Sequence, residues 1–356
     1  MKPPKFLMPA DSFWSELKKR TNQYFVEVKS KPSGNMNLYV KAAILITGYL
    51  GLYTHLVFFT SPYIIVSLLE CVLFGALTSA IGFNIMHDGA HGSFSKKKWV
   101  NEVAGLSLNM LGANVFIWKT KHNIVHHTYT NIEGVDDDID ARPFLRLCDT
   151  QKHYKAHRFQ HLYFFLIYSS LYLYWIFFTD YKKYFTREIS GMPIKKMTSK
   201  DHITFWGFKA FHFLQFVVVP IYFLGFMPWL IGFLLYTLCT GFILSIVFQL
   251  AHTVEEAHFP VVNVATNVLE DEWAIHQLKT TANFATRNKL VSWYTGGLNY
   301  QIEHHLFPHI SHIHYPAISV IVKQVCQEYN IPYIEFMKMR SAVSSHISHL
   351  KHMGVA

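Results

Sequence analysis

Four long runs of apolar residues dominate the pattern of the chain, at 38–59, 62–86, 205–226 and 228–251. Each run matches or exceeds the ~20 residues that an α-helix needs to cross a ~30 Å hydrocarbon layer. The connection at 60–61 and the one at 226–229 carry no charge. The pattern therefore predicts two hairpins of membrane-spanning helices.

A fifth apolar run, 162–178, is shorter and rich in Tyr and Ser. The segments on either side of it, 142–158 and 182–200, are strongly basic. Basic loops of membrane proteins stay on the cytosolic side. The run at 162–178 then has cytosolic loops at both ends, so we expect an interfacial helix or hairpin that does not cross. Both chain ends are expected to be cytosolic as well.

The N-terminal segment 1–37 is polar and charged and has no signal-peptide core, so we expect it to stay uncleaved on the cytosolic side. Within it, residues 11–28 have the pattern of an amphipathic helix, with Asp11 or Ser12 as its cap and Phe13 and Leu17 on its apolar face. We assign residues 38–356 to one membrane domain that contains the four spans.

Composition narrows the class of protein. Hydrophobic residues make up 51% of the chain and charged residues 15%, against about 25% charged in soluble proteins. The net charge of +9 comes from basic residues that interrupt apolar runs. This favours the positive-inside bias of a membrane protein over a nucleic-acid-binding surface. The four cysteines are far apart without a C-x-x-C pair, which argues against disulfides and zinc knuckles.

The most unusual feature is the presence of 22 histidines, several of them in tight clusters. Positions i and i+4 share one face of an α-helix, so His87 with His91, and His122 with His126, can aim at one point. An adjacent histidine is rotated by about 100° and can reach a second metal nearby. The clustered residues are His87 and His91; His122, His126 and His127; His304 and His305; and the single His252 at the end of the last span.

The charge-derived topology places all these histidines at the cytosolic boundary of the membrane. Imidazole suits iron, zinc and copper, and spacing does not distinguish them. Histidine ligands need acceptors that orient their rings, and the acids close in sequence are Asp88, Asp136, Asp137, Asp138, Asp140, Glu255, Glu256 and Glu303. The role of His276 stays open, and we expect His309, His312 and His314 to be structural or to orient ligands.

The sequences HDGAH at 87–91, HNIVHHTYTN at 122–131 with the following DDDID, FQLAHTVEEAHFP, and WYTGGLNYQIEHHLFPHISHIHYP resemble the membrane fatty-acid desaturase family over nearly the whole chain. The last of these motifs has Gln301 where most members have His. In this it resembles the front-end subgroup of acyl-CoA Δ6/Δ5 desaturases, of the linoleoyl-CoA type. The pattern DSFWSELKKRTNQYF is similar to stand-alone bacterial members.

The resemblance implies an all-α integral membrane fold with four transmembrane helices, interfacial helices and a cytosolic His-rich helical cap, in a bacterial inner membrane. It implies two irons with O2 as co-substrate and a cis double bond in a long-chain acyl-CoA or acyl-lipid as the product. The implied ligands are His87, His91, His122, His126, His127, His252, His304 and His305, with Gln301 as the ninth.

Two electrons would come from outside the chain. Many eukaryotic front-end desaturases carry a fused cytochrome b5 domain with the motif HPGG, which this sequence lacks. We therefore expect ferredoxin, or cytochrome b5 with its reductase, as a separate donor. Besides the donor, the expected partners are the acyl substrate and membrane lipids, and no nucleic acid.

Two other functions are compatible with the clusters. A related acyl-chain hydroxylase would use the same site, and only product analysis separates the two. A histidine-rich metal transporter belongs to a different class, but it would need polar residues through the membrane interior, and the four apolar runs carry almost none.

Overall fold

The computed structural model describes residues 4–7, 12–263 and 265–356, which are predominantly helical. Asp11, one of the two predicted caps of the first helix, lies outside the described residues. We number the helices α1 Phe13–Glu27, α2 Met36–Phe58, α3 Ile64–His91, α4 Lys98–Met110, α5 115–129, α6 Lys155–Thr186, α7 Ser199–Leu224, α8 Phe226–His252, α9 Trp273–Thr280, α10 Lys289–Tyr294, α11 Gln301–Leu306, α12 Tyr315–Glu328 and α13 Met339–Met353.

Single 3₁₀ turns occur at Asp137–Ile139 and His312–His314, and another, Lys155–Phe159, begins α6. The described strands are two residues long and form two small sheets. Strands β1 Glu188–Ile189 and β2 Met192–Pro193 are antiparallel, with Glu188 opposite Pro193. Strands β3 Asn283–Phe284 and β4 Glu335–Phe336 are parallel, with Asn283 opposite Glu335. The sheets thus only fasten loops, and the prediction of an all-α protein is confirmed.

Five described helices, α2, α3, α6, α7 and α8, are long and apolar enough to cross a membrane. Four of them contain most of the four predicted spans, with ends that differ from the predicted ones by up to six residues. The fifth, α6, contains the run at 162–178 and extends it in both directions to 32 residues. Length and composition alone therefore allow five spans, one more than the four predicted. The number of helices that cross the membrane stays a prediction.

Helix α8 is the centre of the helical bundle and packs against both α3 and α6. Glycines make these contacts close, because a Cβ at Gly75 would overlap the Tyr236 carbonyl, and one at Gly241 would overlap the Ser169 carbonyl. The Ser245 hydroxyl donates to the Tyr168 carbonyl at 3.1 Å and adds a second tie between α8 and α6. Helix α2 completes the first hairpin by packing on α3.

Large apolar side chains cover the outside of the long helices. Ile64 is 69% exposed, Leu69 64% and Met227 64%, and many neighbours on α2, α7 and α8 are exposed as well. An apolar exterior of this extent would be unstable in water. Together with the five helices, it shows that the protein is an integral membrane protein.

The two ends of α6 contact the same loop of the protein. Near its start, the Gln160 amide donates to the Arg146 carbonyl at 2.9 Å. Near its end, the Lys183 ammonium pairs with the Asp137 carboxylate. Residues 137 and 146 both belong to the loop that follows the second histidine cluster. A further ion pair, between Lys209 of α7 and Asp180 of α6 at 2.9 Å, fastens the end of α6 to the second hairpin.

Helix α1 does not stand alone at the start of the chain. Its buried residues are Phe13, Leu17 and Thr21, and it packs on α12 and α9. Ser12 occupies its cap position, but no side-chain capping bond is seen from it within the described segment. The structure confirms the predicted amphipathic helix, and the apolar face of this helix packs against protein.

Candidate metal centre

The first histidine cluster lies at the end of α3, where the helix changes geometry. A π-helical stretch, Gly82–Met86, leads directly into the α-helical turn His87–His91. The side-chain amide of Asn84 donates to the carbonyls of Ala80 and Tyr294, both at 2.8 Å, and so compensates for the altered helix bonding. In the α-helical turn His87 and His91 face the same side, with ring centroids 4.7 Å apart, as the spacing predicts.

The second cluster lies on α5, in another π-helix, Thr120–His126. The hydrogen bonds of a π-helix span one residue more than those of an α-helix, so its turn is wider. Residues five apart then approach each other, and the Nε2 atoms of His122 and His127 lie 3.3 Å apart. The α-helical spacing assumed for His122 and His126 therefore does not describe this segment fully.

The histidines converge into two compact groups. The first group contains His87 and His91 of α3, His122 of α5 and His304 of α11, and one ring nitrogen of each lies within 4.8 Å of all the others. The second group contains His126, His252 and His305, under the same distance limit. The three ring centroids of the second group form a nearly equilateral triangle with sides of 4.8 to 4.9 Å. Each group combines residues from three different helices.

His127 lies between the two groups. Its ring stacks on that of His305 at 4.4 Å and meets the ring of His304 at 4.6 Å. A third possible cluster of metal-binding atoms, with His122, His126 and Asp138, overlaps the first two. Asp138 already pairs with the Lys121 ammonium, so its carboxylate is less free to bind a metal.

The unpaired nitrogens of these rings fit metal ions. Within the described residues, the buried Nε2 atoms of five histidines from the two groups have no hydrogen-bond partner; they are His91, His126, His252, His304 and His305. A buried polar atom without a partner is costly, roughly 1–3 kcal/mol each. Several such atoms directed at a shared space, from a residue type that binds transition metals, are what a metal site requires.

The opposite ring nitrogens, Nδ1, contact oxygen atoms that hold the rings in place. His126 contacts the Asp136 carboxylate at 3.0 Å and His305 the Gln277 side-chain oxygen at 2.8 Å. His304 contacts the Tyr315 hydroxyl at 3.1 Å and His252 the Thr280 carbonyl at 3.3 Å. The Nδ1 atoms are thus occupied and the Nε2 atoms are left for a metal.

Electrostatics keep most of these imidazoles neutral, which is the form that binds a metal. Burial, reinforced by the neighbouring histidines, lowers the pKa of His122, His127, His304 and His305 well below the ordinary value. For His126, burial also acts to lower the pKa, but the carboxylates of Asp136 and Asp138 outweigh it and raise the pKa. An adjacent carboxylate makes this ring a more basic donor.

Gln301 begins α11, three residues before His304, and is buried. Its side-chain oxygen has no hydrogen-bond partner among the described residues. The neighbouring Glu303 points elsewhere, since it accepts from Asn283 and Tyr333 at 2.7 and 2.8 Å. Burial raises the pKa of the Glu303 carboxyl to about 7.

The acids predicted to orient ligands have different positions. Asp136 and, at 3.7 Å, Asp138 reach His126, whereas Asp88 accepts from His312 and Ser311. The other acids pair with residues outside the histidine groups: Asp137 with Lys183, Asp140 with Arg142, Glu256 with Ser345 and Glu303 with Asn283, while the backbone N–H of Glu255 donates to Ser345.

The structure also places the histidines outside the two groups, whose roles the sequence left open. His309 contacts the His91 carbonyl at 2.8 Å, and the His314 ring meets Phe25 edge to face. His276 packs against Phe6. Sequence reasoning missed Gln277, Thr280 and Tyr315 as partners of the clusters, because amide, carbonyl and hydroxyl groups have no characteristic spacing in a sequence.

These features define an integral membrane protein with a buried polyhistidine site that could hold metal, formed by the ends of α3 and α8 together with the short helices α5 and α11. The family model for fatty acid desaturases matches residues 62–336, a range that contains every histidine of the two groups. The chain belongs to the fatty acid desaturase family, and it is an oxidoreductase of lipid metabolism.

Several relatives cover nearly the whole chain. The sn-1 linoleoyl-lipid 6-desaturase of Arthrospira platensis is 38% identical, over 96% of this chain and 93% of that protein. The enzyme with the same name from Synechocystis is 33% identical, over 96% and 95%. An acyl-lipid (8-3)-desaturase of Physcomitrium patens is 34% identical, over 97% of this chain and 72% of that protein. These relatives support the front-end-like, stand-alone bacterial type.

Proposed function

We propose that this protein is an O2-dependent acyl-lipid 6-desaturase, which introduces a cis double bond into a linoleoyl chain esterified to a membrane lipid. Two relatives that align over more than nine-tenths of both chains are linoleoyl-lipid 6-desaturases. The observation that carries the proposal is the pair of buried histidine groups in a chain of this family.

We assign one iron to His87, His91, His122 and His304, and the other to His126, His252 and His305. His127 lies between the groups, and Gln301 is the ninth candidate ligand. When bound, the irons supply the O2 chemistry that removes two hydrogens from adjacent methylene groups, with two electrons from ferredoxin or from cytochrome b5 and its reductase. The geometry that supports this assignment is the mutual distance within each group, at most 4.8 Å between ring nitrogens.

Residues around the site orient the histidine rings and exclude bulk water from them. Asp136, Gln277 and Tyr315 fix the rings of His126, His305 and His304 through their Nδ1 atoms. All three rings are buried, so bulk water is excluded from the ligand atoms. Fixed rings and excluded water both favour selective oxidation of an inert methylene over side reactions.

We further propose that four helices cross the membrane, α2, α3, α7 and α8, and that α6 lies at the cytosolic interface. The contacts of both α6 ends with the loop at 137–146 support this arrangement, because the ends of a crossing helix would lie on opposite sides. The chain then has both termini and its histidine-rich cap in the cytosol. Residues 1–37 form a cytosolic segment and residues 38–356 the desaturase domain.

Expression in a host that contains linoleoyl lipids and a compatible electron donor tests the proposal. Gas chromatography of fatty-acid methyl esters should show a new product with a double bond at carbon 6. His127→Ala and His305→Ala should each abolish this product while the protein still inserts into the membrane. The exposed His352→Ala is the matched control and should keep full activity. A hydroxylated product, or a double bond at another carbon, would contradict the assignment.

A further inference from the structure

A cavity of about 240 Å³ opens beside the histidine site, and we call it the headgroup cavity. It is lined by the start of α2, by residues around α10 and by the turn before α12. The lining includes Lys41, Trp293, Tyr300 and His312. Pockets that enclose whole drug-sized ligands have about 300–1,000 Å³, so this one suits the polar end of a lipid and not its acyl chain.

Lys41 is the only ammonium group among the described residues that line this cavity, and its surroundings are unusual for a lysine. The residue is only 8% exposed. Within the described chain its ammonium has no hydrogen bond or carboxylate contact, and it lies over the Trp293 ring at 5.0 Å. Lysines near a membrane boundary usually extend into the headgroup layer. The buried Asp88 carboxylate acts on Lys41 through space, but it accepts from Ser311 and His312 and makes no direct ion pair with the ammonium. A buried ammonium without a directly bonded anion is unfavourable, so the cavity suits an anionic group of a ligand.

His312 supplies a second polar group, a ring nitrogen without a hydrogen-bond partner in the described chain. Its Nδ1 contacts the Asp88 carboxylate at 3.0 Å, which accepts and therefore leaves the proton on Nδ1. In the neutral ring Nε2 is then an acceptor, and this buried atom has no partner in the described part of the chain. The cavity thus combines a cation that attracts an anion with an acceptor that suits a hydroxyl.

The lining also connects the cavity to the histidine site. Tyr300 directly precedes Gln301, and His312 is bonded to Asp88, the neighbour of His87. Along the first route a lining residue directly adjoins a candidate ligand, and along the second route Asp88 lies between His312 and His87. The cavity is therefore connected to the histidine site through two of its lining residues.

We propose that the headgroup cavity binds the phosphate and a glycerol hydroxyl of an anionic phospholipid, with Lys41 pairing with the phosphate and His312 accepting from the hydroxyl. On the proposed function above, this contact would fix the carboxyl end of the acyl chain at a set distance from the metals. Lys41 is then a specificity-determining residue, which selects the lipid headgroup.

Binding to the purified full-length protein tests the proposal without turnover. Native mass spectrometry in a neutral detergent would compare phosphatidylglycerol with a neutral diacyl glycolipid that has the same acyl chains. We expect the wild type to retain phosphatidylglycerol preferentially. Lys41→Met should weaken that retention at least about tenfold, the loss expected for one charged hydrogen bond, without changing glycolipid binding, and Lys41→Arg should keep most of it.

The matched control is Lys98→Met, at a lysine whose side chain is 92% exposed, and it should behave as the wild type. Equal retention of both lipids by the wild type would overturn the proposal, whatever the variants do. Unchanged phosphatidylglycerol binding in a folded Lys41→Met or Lys41→Gln variant would do so too. Displacement of the lipid by equimolar inorganic phosphate or linoleoyl-CoA would assign the site to another phosphate source.

The lipid-binding measurement needs no electron donor or O2, so it tests the headgroup cavity even in a preparation without desaturase activity. A protein that prefers phosphatidylglycerol but forms no carbon-6 double bond would leave the headgroup assignment standing and reject the proposed function. The opposite result would reject only the headgroup assignment.

Discussion

At the residue scale, the two nitrogens of a histidine ring in this site have different surroundings. Nδ1 of His126, His252, His304 and His305 contacts an oxygen, and Nε2 of each is buried without a partner in the described chain. The same division repeated in four rings from three helices is difficult to explain by packing alone. It is the reason why these histidines are assigned to metals and not to the protein core.

The ligand role of Gln301 can be tested by two substitutions at one position. Gln301→His should be milder than Gln301→Ala, because an imidazole can still coordinate and a methyl group cannot. The measurement is the yield of the carbon-6 product together with the iron content of the purified protein. If both variants lose activity and iron to the same extent, Gln301 has no ligand role.

Asp136 should matter through the ring it orients. Asp136→Asn keeps the size of the side chain but removes the charge that makes His126 more basic, so activity should fall about 10- to 100-fold, as for other partners of metal ligands. The readouts are product yield and iron per protein. Asp140→Asn, in the same acidic stretch but paired with Arg142, is the control and should stay close to wild type.

Much of the site could be predicted at this scale, and the remainder has physical reasons. The spacing of His87 and His91 predicted a shared direction, since that turn is α-helical. The π-helix of α5 also brings His122 and His127 together, and nothing in a spacing argument reveals the extra residue in its turn. Gln277 of α9 is 28 residues from His305, so its contact depends on tertiary structure alone.

At the scale of elements, hydropathy located the long helices but not all of their ends. The run at 228–251 and helix α8 agree within two residues, because the whole helix is apolar. The run at 205–226 begins six residues after α7 does, because the first turns of α7 contain Lys200 and Asp201. Charged residues can begin a helix without entering lipid, so hydropathy marks lipid contact and not helix length.

The contact between α6 and α8 gives a prediction for packing. Gly241→Val should separate the two helices, because even a Cβ at this position would overlap the Ser169 carbonyl. We expect a loss of about 1–3 kcal/mol in stability, as for other overpacked sites, measured as a lower midpoint of thermal unfolding in detergent.

Gly207→Val on α7 is the matched control, since a Cβ there would meet no atom within 4 Å. It should change the unfolding midpoint little. Equal midpoints for Gly241→Val and Gly207→Val would contradict the close packing of α6 on α8.

At the scale of the whole molecule, the central question is how many helices cross the bilayer. Single cysteines that replace Ser61 and Met227 should react with an impermeant maleimide added outside intact cells. Cysteines that replace Lys152 and Lys195, which flank α6, should react only in inverted vesicles. The native cysteines are largely buried, and a cysteine-free background is the control. Labelling of the two α6 flanks from opposite sides would make α6 a fifth span.

The histidine site depends on residues far apart in the chain, from His87 on α3 to His305 on α11. Without ions, the folded protein would keep several unpaired nitrogens away from water, at roughly 1–3 kcal/mol each, against a total stability of only about 5–15 kcal/mol for a typical domain. On the proposed assignment of iron, the supply of this metal would therefore limit how much folded protein accumulates, and iron starvation would reduce the abundance of the protein as well as its turnover.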